Sequence, residues 1–437
     1  MAPVINEFSG RRNVKLTVVH SGQHYDMEMS ESFFQEFDLS APDFNLKIGS
    51  GSHARQTGQM LEGYENLIER HRPDIVLAEG DTNTVLAAGL ASVKLNTCFG
   101  HVEAGLRCYD RTMPEEINRT IADACAHLCF APTKRSAENL LREGIAPKKI
   151  HVTGNTIVEV CLAQTKKAHK RPSILESLAP DNEKPLVLVT THRSENVDNP
   201  RNLHNIISAL LRLQDCQVIF PVHPRTRNKL RKFNLLRALQ RSTHIKVTKP
   251  LGYWDFLLLL EASKIVLTDS GGVQEEALTL RVPCLTLRYN TERPETIEAG
   301  GNILVGTDVP VIVNASRKLL QDEMLRSKLR NNKNPLGDGR ASHRIAAICA
   351  GERESSLRLE PTSYMPDGSA SYRLLGVRKP RKILDLRKEY PMITIELIYD
   401  SQGYPVVPED TTYLKKGWQV QIFGQLSDIT RFSQYLT

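Results

Sequence analysis

The chain has 437 residues, 40% hydrophobic and 24% charged, with a net charge of +7, the balance of a globular protein with room for two or three domains. Its basic residues are dispersed rather than gathered in runs, which argues against nucleic acid and leaves a solvated basic surface or an anionic ligand. No apolar stretch reaches the ~18–20 residues that span a bilayer, and the N-terminus lacks the charged and apolar regions of a secretory signal.

In chain order, VKLTVVHSG (14–22), DIVLAEG (74–80), NTCFGHVE (96–103) and HLCFAPT (127–133) read as buried parallel strands, apolar at the start and ending in Gly or polar residues. Helical patterns lie between them, such as 54–71 and 116–126. After a polar, Pro-containing bridge (170–185) the alternation restarts with 186–192, 216–223, 244–250, 264–272 and 283–288. Two βα series predict two doubly wound α/β domains facing a cleft, 1–168 and 169–350. The second closes on a helix at 341–350. Residues 351–371, rich in Gly, Pro and Ser, read as a linker. From 372 to 437 the alternating segments 393–400, 404–417 and 418–424 predict a small separate α+β module of antiparallel strands. The eight cysteines, Cys125 and Cys129 around His127 included, form no C-x-x-C pair. They read as reduced core residues of a cytoplasmic protein that holds no metal.

Four groups of residues carry chemistry. THRSEN (191–196) follows a strand directly, so His192 and Arg193 stand where they donate to oxyanions; a structural strand-end histidine is the plainer alternative. TDSGGVQEEA (268–277) is a strand, then Ser270, Gly271 and Gly272, then a helix. The glycines admit close backbone approach, the helix start offers N–H groups to a phosphate, and Glu276 one turn in is placed for ribose hydroxyls. A plain glycine turn is the alternative. The third group is acidic: Asp81 and Glu103 follow strand ends, and Glu115 and Glu116 open a helix after Met113-Pro114. Strand ends converge on one crevice, where carboxyls serve as acids and bases; Glu116 reads better as a complement to the helix N-terminus. Arg293, after the strand 283–288, suits a diphosphate or a carboxylate.

In order, SGQHYD, EGDTNT, GHVEAGLR, MPEEINR, PTKRS, VTGNTIVE, THRSEN, TDSGGVQEE and TERPE resemble the non-hydrolysing UDP-N-acetylglucosamine 2-epimerases across residues 1–350. The resemblance implies the two-Rossmann-domain GT-B fold and interconversion of UDP-GlcNAc and UDP-ManNAc without a cofactor. The C2 proton is removed, UDP is expelled from C1, and UDP adds back after protonation from the other face. Carried over by motif, Asp81, Glu103 and Glu115 form the acid–base group and His192 acts at the diphosphate. Ser270, Gly271, Gly272, Glu276 and Arg293 hold UDP, with Phe256 and the backbone of Leu251 beside the uracil. Gln23 and His24 match a segment linked to allosteric substrate binding. The resemblance also implies a homodimer.

Family members open with a strand and a Gly-Thr-Arg-Pro-Glu loop, whereas this sequence begins at Met1-Ala2-Pro3-Val4-Ile5. A chain starting there is expected to lack a central strand of its first sheet and to be destabilised and impaired, unless its true start lies upstream. YPVVPEDTTYLKKGWQVQIFG in the tail resembles the C-terminal half of potassium-transport regulator (RCK) subunits, implying a small-ligand or dimerisation module. Two other readings stand beside the epimerase: an epimerase of a related UDP-diacetamido sugar, and a catalytically silent UDP-sugar-binding or regulatory protein.

Overall fold

The computed structural model describes residues 1–22, 34, 36–179, 183–324, 327–328, 333–352 and 370–436. The chain divides into two compact units, one of residues 1–164 with 336–366, the other of 165–335 with 367–437.

In the first unit, strands β1 (Val19–His20) and β2 (Phe44–Asn45) pair in parallel with each other. Strands β3 (Ile75–Glu79), β4 (Cys98–Val102), β5 (Leu128–Ala131) and β6 (Ile150–Val152) form a separate parallel sheet in that order. β4 and β5 are buried while β3 is mostly half-buried. Only Val19–His20 of the expected strand 14–22 is extended and paired. The helix after β3, Asn83–Lys94, is rich in Ala and packs its small buried face, Val85, Ala87, Ala88 and Ala91, on the sheet core with Phe99.

Helix Ala341–Cys349 belongs here too, because Ile345 and Ala346 share a core cluster with Val4, Phe8, Val102 and Phe130. The second half expected over 169–350 therefore ends earlier: the chain returns to the first unit from residue 336. The physical reason is burial of the apolar face of that helix on a surface far away in sequence, which no local pattern encodes.

In the second unit, β7 (Leu186–Thr190), β8 (Gln217–Pro221), β9 (Ile245–Thr248), β10 (Ile265–Thr268), β11 (Cys284–Thr286) and β12 (Asn302–Leu304) form a parallel sheet of order β12-β11-β10-β7-β8-β9. This is a doubly wound order whose direction of growth reverses between β7 and β10. Leu186, Val187, Leu188 and Val189 are all buried, as a central parallel strand covered on both faces requires. The four leucines of 257–260 lie in helix Tyr253–Ala262 and are core residues. Among the described residues no helix is long and apolar enough to cross a membrane.

The tail is an antiparallel sheet ordered β13 (Ala370–Gly376), β18 (Gln419–Gln425), β15 (Thr394–Tyr399), β16 (Pro405–Val406), beside the short pair β14 (Arg381–Lys382) and β17 (Tyr413–Leu414). Its own core includes Ile383, Ile398, Val420, Ile422 and Phe432. It folds with the second unit: Leu374 and Tyr399 join that unit's core, and Leu374 N donates to Tyr289 O at 3.0 Å.

Candidate functional site

The reversal between β7 and β10 places two strand ends side by side, with Thr190 opposite Thr268 and their hydroxyls 2.7 Å apart. Both strands then turn outward, and Asp269 holds the turn. Its fully buried carboxylate accepts from the backbone N–H of His192 (3.0 Å) and Arg193 (3.1 Å), from Thr191 Oγ1 (2.5 Å) and from Asn196 Nδ2 (3.0 Å). Burial would raise its pKa, but His192, Thr191 and Asn196 outweigh it, and Asp269 stays below the ordinary carboxylate range. His192 Nδ1 lies 3.3 Å from the same carboxylate, while the ring is 47% exposed. The structure therefore presents His192 as an oriented, accessible imidazole rather than a buried structural one.

Ser270 caps helix Gly271–Thr279, with Gly271 and Gly272 in its first turn. A Cβ on Gly271 would stand 2.8 Å from Glu292 Oε1 and 3.2 Å from Arg293 Cζ, so only glycine lets this helix start meet the segment after β11. That segment is an ion cluster. Arg293 Nε lies 3.2 Å from Glu275, its Nη1 lies 3.1 Å from Glu292, Arg288 pairs with Glu292 at 2.7 Å, and Arg193 reaches Glu292 at 3.3 Å. Arg293 is thus held between two carboxylates, those of Glu275 and Glu292. Glu276, buried in the same helix, accepts from Tyr253 Oη at 2.7 Å, and burial pushes its pKa up to about 7 against that hydrogen bond. Leu251, Phe256 and Val273 lie half-buried against one apolar cluster flanking this helix.

In the first unit, Asp81 and Glu103 follow the paired ends of β3 and β4, where Glu79 stands opposite Val102. Arg119 binds the carboxylate of Asp81 and lies 2.8 Å from that of Glu116; Asn118 Nδ2 donates to Asp81 O at 3.0 Å. Glu103 has φ +68° and accepts from Asn155 Nδ2 at 3.2 Å. Glu115 is half-buried in the first turn of helix Pro114–Cys125. The structure thus gathers Asp81 and Glu103 at one sheet end, and Ser270, Gly271, Gly272, Glu276, Arg293 and His192 at another. Glu116 does more than face the helix dipole: its buried carboxylate accepts from Tyr109 N at 2.7 Å and from Cys108 N at 3.2 Å. Gln23 and His24 lie outside the described residues.

Sequence reasoning passed over Asp269, Tyr253, Glu275 and Glu292. The Asp of TDSGG and the Tyr of LGYWDF were adjacent to residues singled out, but only the fold gives them partners. Among the described residues no group of His, Cys, Asp or Glu is arranged to hold a metal ion. Cys125 ends a helix and Cys129 lies in β5.

The profile of the UDP-N-acetylglucosamine 2-epimerase family matches residues 6–350. A UDP-N-acetylglucosamine 2-epimerase of Methanocaldococcus jannaschii is 45% identical over 354 residues, 80% of this chain and 94% of that protein. One of Methanococcus maripaludis is 44% identical over 359 residues, covering 81% and 95%. The crystal structure of the M. jannaschii enzyme in complex with UDP-GlcNAc and UDP superposes with a TM-score of 0.74 at 44% identity, covering 80% of this chain and 95% of that one.

Proposed function

The chain belongs to the UDP-N-acetylglucosamine 2-epimerase family, and we propose that it interconverts UDP-GlcNAc and UDP-ManNAc by elimination and re-addition of UDP. The observation that carries this reading is the pair of carboxylates, Asp81 and Glu103, fixed at the ends of neighbouring strands β3 and β4. Inversion at C2 needs a base on one face of the carbon and an acid on the other, and a pair of strand-end carboxyls supplies both. Glu115 completes the acid–base group. His192, oriented by Asp269, stabilises the charge that develops on the departing diphosphate.

The second unit is the UDP-holding half. The first turn of helix Gly271–Thr279, with Ser270, Gly271 and Gly272, faces the phosphates with free N–H groups. Glu276 takes the ribose hydroxyls, Phe256 and the backbone of Leu251 flank the uracil, and Arg293 supplies positive charge. The tail is a small-ligand or pairing module like that of RCK subunits, a reading supported by its antiparallel sheet. The enzyme acts as a homodimer in the cytoplasm, in keeping with eight free cysteines.

The test is incubation with UDP-GlcNAc in deuterated water, followed by NMR. Deuterium at C2 together with UDP-ManNAc is the expected result. Free UDP with ManNAc, or no change, overturns the reading.

A further inference from the structure

Beneath Asp81 and Glu103 lies a set of charges that the chemistry above does not use. His101, in β4, is completely buried. Its Nδ1 lies 2.6 Å from Asp123 Oδ1 and its Nε2 2.8 Å from Gly80 O. Both partners only accept, so both ring nitrogens carry hydrogen and the ring is an imidazolium. Burial opposes that charge, but the Asp123 carboxylate and the two hydrogen bonds outweigh it, and the pKa is raised. Asp123 Oδ2 in turn accepts from Gly105 N at 3.1 Å and meets Arg107 Nη2 at 2.6 Å, while Arg107 also binds Glu143.

These bonds end on the loops that bear the carboxylates. Gly80 immediately precedes Asp81; Gly105 comes two residues after Glu103. Gly80 has φ +89°, and a Cβ there would stand 3.6 Å from Glu103 Oε2, so the Glu103 carboxylate lies over the peptide that His101 grips. Glu103 itself is at φ +68°, a conformation costing a non-glycine residue roughly 1–3 kcal/mol unless its surroundings fix it. A buried charge cluster is no more stabilising than an apolar core of the same volume. Its return here is geometric: one ion pair ties the loop of Asp81 to the loop of Glu103.

We propose that His101 and Asp123 are positioning residues for C2 inversion, holding Asp81 and Glu103 at the spacing that proton removal and return require. This rests on the epimerase reading. The two groups must flank one carbon, and a misplacement of ~1 Å costs about 10²-fold in rate. Both residues are buried, and the groups assigned to UDP lie in the other unit, so their loss acts on kcat and not on binding.

The test uses the full chain with His101→Gln, and with Asp123→Asn as the milder variant that keeps side-chain shape. Deuterium incorporation at C2 and kcat fall by about 10²-fold, while KM and the calorimetric Kd for UDP stay within about threefold, the signature of an interaction made in the transition state alone. In wild type, ¹⁵N-histidine spectra at neutral pH show both His101 ring nitrogens protonated. Exchange within about threefold of wild type in either folded variant overturns the inference alone, and so does a neutral His101 ring. Should H101Q not fold, D123N decides by the same measure. Wild type that binds UDP yet incorporates no deuterium overturns the epimerase reading, and this inference with it.

Discussion

Replacing Glu276 by Gln isolates the energetic consequence of burying a carboxyl in the second unit. Its pKa rises from the ordinary 4.5 to about 7, chiefly through burial. Between those values the folded protein holds a proton that the unfolded chain has released. Stability therefore falls as pH rises from 4.5 to 7 and is level above that, the direction set by proton linkage. Each pH unit is worth about 1.4 kcal/mol, so from pH 5 to pH 8 wild type loses about 2.5 kcal/mol through this group. Gln does not titrate. Any fixed cost of its amide is present at both pH values and cancels in the comparison. Urea unfolding of both proteins at pH 5 and pH 8, followed by the fluorescence of the two tryptophans, Trp254 and Trp418, should show E276Q gaining about 2.5 kcal/mol on wild type over that interval. The same change should weaken UDP binding about 10- to 100-fold at pH 8, where the ionised carboxylate accepts from hydroxyls. A stability difference between the two proteins that does not vary with pH would refute the account of Glu276.

Three further outcomes follow from the packing. Gly271→Ala drives a Cβ into Glu292 and Arg293 at 2.8 and 3.2 Å, and calorimetry should show UDP affinity reduced about tenfold as the helix start and the ion cluster separate. Arg119→Met leaves Glu116, which is 3% exposed, as a buried charge without its cation; the expected loss is about 3–5 kcal/mol, seen as a fall of roughly 10 °C in Tm. Asp269→Asn keeps the shape but replaces an oxygen that accepts from Asn196 and Thr191 with a donor facing donors. It should cost about 1–3 kcal/mol and lower kcat by releasing His192; unchanged kcat would refute the orienting role of Asp269.

Much of this organisation was legible because the parallel strands are apolar runs that end abruptly in polar residues, and the fold gathers those ends. Asp81, Glu103, His192 and Ser270–Gly272 stand out in the sequence in that way, and each lies just past a strand end. The three-residue strands β6 and β12 are too short to show a period, and the return of helix Ala341–Cys349 to the first unit depends on Val4 and Phe8, some 340 positions earlier. Most opaque were the buried charges. Asp269 finds its donors 73–78 residues away, and the Glu292 that binds Arg193 is 99 residues from it; nothing local marks either as paired. Helix Pro114–Cys125 hides its meaning differently. Glu116, Arg119 and Asp123 recur at i, i+3 and i+7, the spacing of a buried stripe, but the stripe is charged and all three are buried.

That stripe and Asp269 point to one construction used twice. Loops at the ends of parallel strands are the least constrained backbone in a doubly wound sheet, since the ladder stops there, and they are where ligands bind. In each unit a buried carboxylate closes the gap: Asp123 takes Gly105 N and His101, and Asp269 takes the N–H groups of His192 and Arg193. Both carboxyls are held below their ordinary pKa despite burial, which favours the ionised, accepting form. An apolar residue in either place would pack as well but would leave those N–H groups unpaired in the interior, at about 1–3 kcal/mol each. The loops would then find other hydrogen-bonding partners by moving, and the carboxylates and imidazole they carry would move with them.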